Sequence, residues 1–337
     1  MLAGAPVPYS CQLGNCGTCK CELVDLEDDS NIMELEYSEY ALTPEQRAKG
    51  VILACRTQAW GDVHVRPVDE EDLIVHPSRI LRCSVTKLEA LTHDITGVTL
   101  RIDGGGPMTF SAGQYCSVEF VPGASALARD YSMANTPITA ARDNLLEFQI
   151  RATGAPLAQS AATYVAQQLK IGDAVRVSGP LGTSYLREKH GGPMLCIAGG
   201  SGLAPIESII TTALENLFAY HIYLYIGMRT ERDVYHLDKF DALAKKYPLF
   251  SYEVVLSEGD ESKIGTSPPR RKGFVTAAVA EDFPDIQGMK AYLAGPPVMV
   301  EAGTKMLLGK GMEQRDIHAD AFYTAQDKAR NLAKETA

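Results

Sequence analysis

Alternation between apolar and polar residues dominates the middle of the chain. The stretches 79–88, 95–102, 115–121, 145–151 and 174–177 each alternate, and Gly, Pro and Asp punctuate the intervals between them. Short strands at this spacing predict an antiparallel β-barrel. The pattern then changes character. Met194 to Ala198 is continuously apolar, Gly199-Gly200-Ser201-Gly202-Leu203-Ala204-Pro205 follows, and Ile206, Ile209, Ile210, Ala213, Leu214 and Leu217 then recur at helical spacing. Further strand-like stretches at 221–228, 251–256, 291–294 and 317–322 continue this alternation of strand and helix. It predicts a parallel sheet with helices on both faces. Ahead of the barrel, a cysteine-rich region carries short strand-like pieces and ends at the charge run Val68-Asp69-Glu70-Glu71-Asp72, which reads as a linker.

A length of 337 residues suggests about two domains; the change of pattern argues for three. With 45% apolar and 22% charged residues the composition is that of a packed globular protein. The net charge of -10 repels polyanions, which excludes nucleic acid and anionic membrane surfaces as partners. No apolar run approaches the roughly 20 residues of a bilayer helix, and Met1-Leu2-Ala3-Gly4 lacks the basic and apolar regions of a signal peptide, so the expected location is the cytoplasm.

Five of the eight cysteines stand at positions 11, 16, 19, 21 and 55. In a reducing compartment ligation explains such a cluster better than disulfides do. Cys11-x4-Cys16-x2-Cys19 with a remote Cys55 is the plant-type spacing for a [2Fe-2S] cluster, three thiolates on one loop and a fourth from elsewhere. Gly14 and Gly17 would let backbone amides turn toward the sulfides. The competing reading is a four-cysteine zinc site, which usually offers two Cys-x2-Cys knuckles where this chain has one. Cys21, one residue past a ligand on an apparent strand, is expected to pack rather than ligate, as are Cys83, Cys116 and Cys196.

Arg129-Asp130-Tyr131-Ser132 reads as a strand on which Arg129 and Tyr131 share a face. A guanidinium suits the pyrophosphate of FAD, a phenol packs along its ring system, and the Ser132 hydroxyl would approach the reactive edge. The same run also occurs in ordinary half-buried strands. Gly199 to Pro205 stands where a phosphate-cradling turn belongs, after a strand and before a helix, so Gly199, Gly200, Ser201 and Gly202 are candidate nucleotide contacts. Ligands of such sheets bind at the carboxyl ends of strands, where Gly227 and Arg229 lie after one strand and Gly295, Pro296 and Pro297 after another.

Taken together, these motifs resemble the reductase components of bacterial ring-hydroxylating dioxygenases and multicomponent monooxygenases. In those proteins a plant-type ferredoxin is fused to a ferredoxin-NADP-reductase-like flavoprotein. The likeness is strongest to the naphthalene-dioxygenase type through Tyr9 to Cys21, Gly179 to Leu186 and His318 to Tyr323. It implies a β-grasp ferredoxin module over 1–67, a linker at 68–75, an antiparallel FAD-binding β-barrel over 76–188, an α/β NAD(P)H-binding domain over 189–324 and a polar tail over 325–337. Cys11, Cys16, Cys19 and Cys55 would hold the cluster. Arg129, Tyr131 and Ser132 fall on the family's flavin positions, and Gly182 lies in its turn beside the flavin ring.

The phosphate-gripping helix start of the family maps to Ser160, which reads equally well as a simple cap. Phe322, in Asp320-Ala321-Phe322-Tyr323, corresponds to the aromatic that shields the flavin; a core aromatic is the alternative. Relatives place about two strands and a helix before the first ligand cysteine and this chain has ten residues there: either the start is misassigned or truncated, or the module is abridged and its β-grasp sheet lacks the first hairpin. Where many relatives have cysteine before Gly-Pro, this chain has Ala294.

The implied activity is a relay from NADH through FAD to the cluster and on to a Rieske ferredoxin, a Rieske oxygenase or a diiron hydroxylase; NADPH is the alternative, since Arg229 or Arg232 after the second strand of the nucleotide sheet could meet a 2′-phosphate. Two other readings stay open: a non-catalytic redox sensor or electron carrier, and a flavin reductase without a working cluster. The acidic stretch from Asp25 to Glu45 is expected to be a solvated face, with docking of a basic partner as its alternative.

Overall fold

The computed structural model describes residues 14, 17, 19–37, 41–68, 74–120, 128–152, 160–259 and 270–323. They belong to two compact units, divided between residues 73 and 74 and again between 320 and 321.

In the first unit the strands are short. β1 (Lys20–Leu23), β2 (Ile32–Glu34), β3 (Val51–Leu53), β4 (Thr57–Ala59) and β5 (Val65–Pro67) are accompanied, among the described residues, by an α-helix, α1 (Pro44–Ala48), which lies between β2 and β3, and by two short 3-10 turns. β1 is the centre of a three-stranded antiparallel sheet ordered β3-β1-β5, and β2 pairs separately with β4. Alternation on β1 turns Cys21 and Leu23 inward, where they pack with Ile52. A second small core gathers Cys19, Ala41, Leu42 and Leu53. Thr43 caps α1 in a capping box: its hydroxyl accepts from the Gln46 amide, and the Gln46 side chain accepts from the Thr43 amide. Arg47 then ties Asp29 at 2.5 Å and also Glu34, so part of the acidic stretch is neutralised from within.

The second unit opens with the barrel. β6 (Arg79–Ala90), β7 (Ile95–Ile102), β8 (Tyr115–Glu119), β9 (Arg129–Ser132), β10 (Leu145–Arg151) and β11 (Ala174–Leu181) form one antiparallel sheet ordered β10-β7-β6-β11-β8-β9. A bridge between Met133 and Phe148 links the two ends and nearly closes it. Inward positions such as Val85, Val98, Leu100, Cys116, Val118, Phe148 and Val177 fill the interior. Two short helices, α2 (Pro137–Asp143) and α3 (Ala161–Gln167), flank β10.

Beyond the barrel, β12 (Met194–Gly199), β13 (Ile222–Met228), β14 (Phe250–Leu256), β15 (Arg270–Lys272), β16 (Lys290–Gly295) and β17 (Ile317–Ala321) make a sheet ordered β15-β14-β13-β12-β16-β17. The pairings from β16 through β12, β13 and β14 to β15 are parallel. Its helices are α4 (Leu203–Glu215), α5 (Leu237–Lys246), α6 (Val275–Asp282) and α7 (Pro297–Gly309). Along β13 the even residues Ile222, Leu224, Ile226 and Met228 join the core of α4 and α5. The odd residues Tyr223 and Tyr225 meet Phe283, and the Tyr225 hydroxyl donates to Asp282 at the end of α6. Both faces of the sheet are therefore covered.

One expectation is corrected. Leu217 does not share the buried face of α4: the helix stops at Glu215, Leu217 takes φ +56° and its side chain is 81% exposed. The left-handed turn that ends the helix carries its side chain off the core-facing stripe.

Candidate active site and cofactor sites

Cys19 and Cys55 come together although 36 residues separate them. Cys19 directly precedes β1 and Cys55 lies in the turn after β3, which pairs with β1, so the ladder sets the thiols 3.1 Å apart. The Cys55 amide points at the Cys19 sulfur at 3.5 Å, a donor that favours thiolate. Gly14 and Gly17 both adopt positive φ, and a Cβ on Gly17 would stand 2.9 Å from the Ala41 carbonyl oxygen, so side chains are excluded where the loop passes the core. Two facing sulfurs with an amide donor suit a thiophilic metal group. Cys11 and Cys16 lie outside the described residues. Cys21 is fully buried, and burial pushes its thiol up to about 11, the state of a packed residue rather than a ligand.

On β9, Tyr131 packs edge-on against Phe120, with ring centroids 5.8 Å apart. Burial, outweighing the neighbouring Arg129 charge, pushes its phenol well above the ordinary value, so it stays neutral. Arg129 is half-exposed and one guanidinium nitrogen donates to the Ala128 carbonyl at 2.7 Å. Ser132 is buried, and its hydroxyl donates to the Asp320 carboxylate at 3.3 Å, joining barrel and sheet. Gly182, just past β11, packs on the Tyr115 ring, and its carbonyl accepts from Gln114 at 2.9 Å. Ser160 is buried and caps α3, accepting from the Thr163 amide at 3.2 Å. Phe322 directly follows β17 and is half-buried.

The glycine turn after β12 is built against the end of β16. A Cβ on Gly202 would stand 2.1 Å from the Ala294 carbonyl oxygen, and one on Gly199 would stand 3.0 Å from the Pro296 ring and 2.6 Å from the Met299 sulfur. Gly199, Gly200, Ser201 and Gly202 are thereby brought beside Gly295, Pro296 and Pro297, with bare backbone at the mouth between two strand ends. Such a surface suits close approach of a phosphate-bearing ligand. Gly227 ends the neighbouring β13 against Val275 at the start of α6. Arg229 is 56% exposed and pairs with Asp233 at 3.3 Å; Asp233 in turn accepts from the Thr230 amide and hydroxyl.

Two residues with an evident place in this arrangement carry no motif of their own. Asp320 sits inside the ending quoted for its aromatic, and its alignment with Ser132 arises only from the packing of β17. Arg151 ends β10, donates to Asp94 at 2.8 Å and reaches to 3.1 Å of the position a Gly200 Cβ would take. A basic residue at a strand end gives no sequence signal of such proximity.

Family models match in three consecutive pieces: a 2Fe-2S iron-sulfur cluster binding domain over residues 1–59, an oxidoreductase FAD-binding domain over 82–185 and an oxidoreductase NAD-binding domain over 196–305. The ferredoxin–NAD(P)+ reductase component of the naphthalene 1,2-dioxygenase/salicylate 5-hydroxylase systems of Ralstonia sp. is 40% identical over 325 residues, which cover 94% of this chain and 90% of that one. The aromatic O-demethylase reductase subunit of Amycolatopsis sp. is 37% identical, with 96% and 92% covered. Among solved structures, the Amycolatopsis cytochrome P450 reductase GcoB superposes with a TM-score of 0.72 at 36% identity, covering 93% of this chain and 89% of that one. The ferredoxin reductase of carbazole 1,9a-dioxygenase superposes with a TM-score of 0.68 at 28% identity, covering 94% and 89%. The chain belongs to the family of ferredoxin–NAD(P)+ reductase components of oxygenase systems and is an NAD(P)H-dependent oxidoreductase.

Proposed function

We propose that this chain draws electrons from NADH and delivers them, through FAD and a [2Fe-2S] cluster, to a Rieske ferredoxin, a Rieske oxygenase or a diiron hydroxylase in the cytoplasm. When bound, FAD accepts hydride and the cluster carries single electrons. The observation that carries the reading is the joining of the Ser132 hydroxyl to Asp320, which brings the end of β9 to the end of the nucleotide sheet inside one compact unit.

In this reading Cys11, Cys16, Cys19 and Cys55 hold the cluster. Arg129 and, at the start of α3, Ser160 would hold the flavin phosphates, Tyr131 would pack along the flavin, and Gly182 would stand in the turn beside its ring. Ser132, held by Asp320, would offer its hydroxyl toward the reactive edge of the flavin, and Phe322 is the residue that would shield it. Gly199, Gly200, Ser201 and Gly202 face the nicotinamide nucleotide with Gly227, Gly295, Pro296 and Pro297. The modules are placed at 1–67, 76–188 and 189–324, with a linker at 68–75 and a tail at 325–337.

NADH is favoured over NADPH by the family resemblance, while the charge at the end of β13 bears on the choice. Arg229 is engaged by Asp233, and Glu231 holds Arg270 at 3.0 Å. Arg232, beyond the same strand, is exposed and is the cation that a 2′-phosphate could still meet. The deciding experiment is anaerobic NADH titration of purified protein, followed by absorbance, with iron, sulfide and flavin quantified. Bleaching of flavin bands together with an iron-sulfur shoulder, at two irons per chain, is expected. Flavin reduction without iron would leave a simple flavin reductase, and no reduction by either nucleotide would remove the reading.

A further inference from the structure

Where barrel and nucleotide sheet meet, the second unit buries a polar chain that the relay does not use. Glu207, on α4 just after the glycine turn, is 3% exposed. One of its oxygens accepts from the Gln149 side chain on β10 at 2.8 Å and from His236 Nδ1 at 2.9 Å; the other accepts from Lys239. Burial alone would raise its pKa, but the hydrogen bond from His236 and the Lys239 charge outweigh that and hold it below the usual carboxylate range.

Gln149 faces two ways. Its amide nitrogen donates to Glu207, which leaves its oxygen for the Tyr235 hydroxyl at 2.6 Å. Tyr235 is 6% exposed, and its single proton is shared between that oxygen and the Gly200 carbonyl at 3.2 Å, which also accepts from the Leu203 amide at the start of α4. Burial and the Glu207 charge push the Tyr235 phenol well above its ordinary value, so it remains a donor. The chain thus runs from a carboxylate on α4, through an amide on a barrel strand, to the backbone of the glycine turn.

Packing apolar side chains across such a junction would bury area without fixing register. Directional hydrogen bonds between buried groups fix it, because a small slip leaves several groups unsatisfied at once. We propose that Glu207, Gln149 and Tyr235 are positioning residues that lock the Gly199–Gly202 turn to the barrel and so set the affinity for the nicotinamide nucleotide without touching it. This inference rests on the reading of that turn as the nucleotide cradle.

The test uses the full-length holoprotein, with NADH as the probe, and the variants Tyr235→Phe, Gln149→Leu and the double variant. Each single substitution is expected to raise KM for NADH roughly five- to tenfold, the size of one buried hydrogen bond, with kcat within about twofold. Because both act along one chain, the double variant is expected to match the worse single rather than the product. KM within about twofold of the parent in Tyr235→Phe, or effects that multiply, overturns the proposal. Tyr235→Phe keeps the ring, so it decides the matter if Gln149→Leu fails to fold. Failure of the underlying reading looks different: the unsubstituted protein would then show no saturable reduction by NADH.

Discussion

The two compact units are held together by different means. The unit from residue 74 to 320 fills a barrel and one face of a six-stranded sheet with two large apolar cores. Among its described residues the first unit has two cores of a few residues each, under a three-stranded sheet and a two-stranded one. At roughly 25 cal/mol per Å² of apolar area, clusters that small offset little of the entropy of ordering the chain. What the first unit offers instead is a pair of sulfurs facing one another at 3.1 Å, in a place where cross-linking by a metal group would supply what burial does not. The comparison teaches that the second unit is held by its core, whereas the first would depend on ligands to stay folded.

The most forceful way to break that contrast is Cys55→Ser. Iron content should collapse, and reduction of a one-electron protein acceptor should fall roughly a hundredfold or more, since the cluster is the single-electron exit. Ferricyanide reduction, which can draw on the flavin directly, should stay within about twofold. The same variant should add a low-temperature melting step for the first unit and leave the melting of the second in place. A single, unchanged transition by calorimetry would show that the small cores suffice.

Gly202→Ala attacks the other unit where it is most tightly built. Its Cβ would stand 2.1 Å from the Ala294 carbonyl oxygen, and backbone on both sides leaves nothing flexible to yield. A loss of roughly 1–3 kcal/mol by urea unfolding is expected, with KM for NADH raised and iron content unchanged. Retention of parental stability would show that the turn and β16 move apart without cost.

Smaller again is the effect of Ser132→Ala or Asp320→Asn. Both weaken one hydrogen bond at the proposed flavin edge, and flavin reduction at saturating NADH should slow roughly tenfold, which corresponds to about 1.4 kcal/mol of barrier. Stopped-flow absorbance reads this directly, and rates within twofold of the parent would take Ser132 out of the chemistry.

How far these contrasts were legible in the sequence follows from their physics. Strand positions came through because the pleat imposes a period of two: β7 and β10 lie where alternation put them, at Ile95–Ile102 and Leu145–Arg151. The glycine turn was legible because only glycine tolerates backbone at such close range. β15 left no comparable trace, since Arg270-Arg271-Lys272 is a charged edge strand without alternation. Leu217 was misjudged because a helical stripe carries no mark of where the helix ends. The Asp320–Ser132 and Glu207–Gln149 contacts were invisible for another reason. They join residues 188 and 58 positions apart, and no local pattern encodes which strand end will meet which.

The finest distinction between the units lies in acid. His318 on β17 is buried, its ring stacks on Tyr292 at 5.0 Å, and its Nε2 finds no protein partner among the described residues. Burial first, then the charges of Arg187, Lys290 and His190, hold its pKa well below the ordinary 6.5. The sign follows from linkage: below about pH 6.5 the unfolded chain takes up a proton that the folded chain refuses. Stability is therefore complete above that value and lost as pH falls through it toward the folded pKa. The loss amounts to about 1 kcal/mol between pH 7.5 and 5.5. Carboxylates such as Glu207 add their own loss only at lower pH, because their ordinary values lie near 4.5. The first unit buries no histidine among its described residues. His318→Phe keeps a ring against Tyr292 and removes the titration. His76, His190 and His221 are likewise held low by burial, so the variant's urea midpoint should decline less steeply than the parent's between pH 7.5 and 5.5, and an unchanged decline would place the acid sensitivity elsewhere.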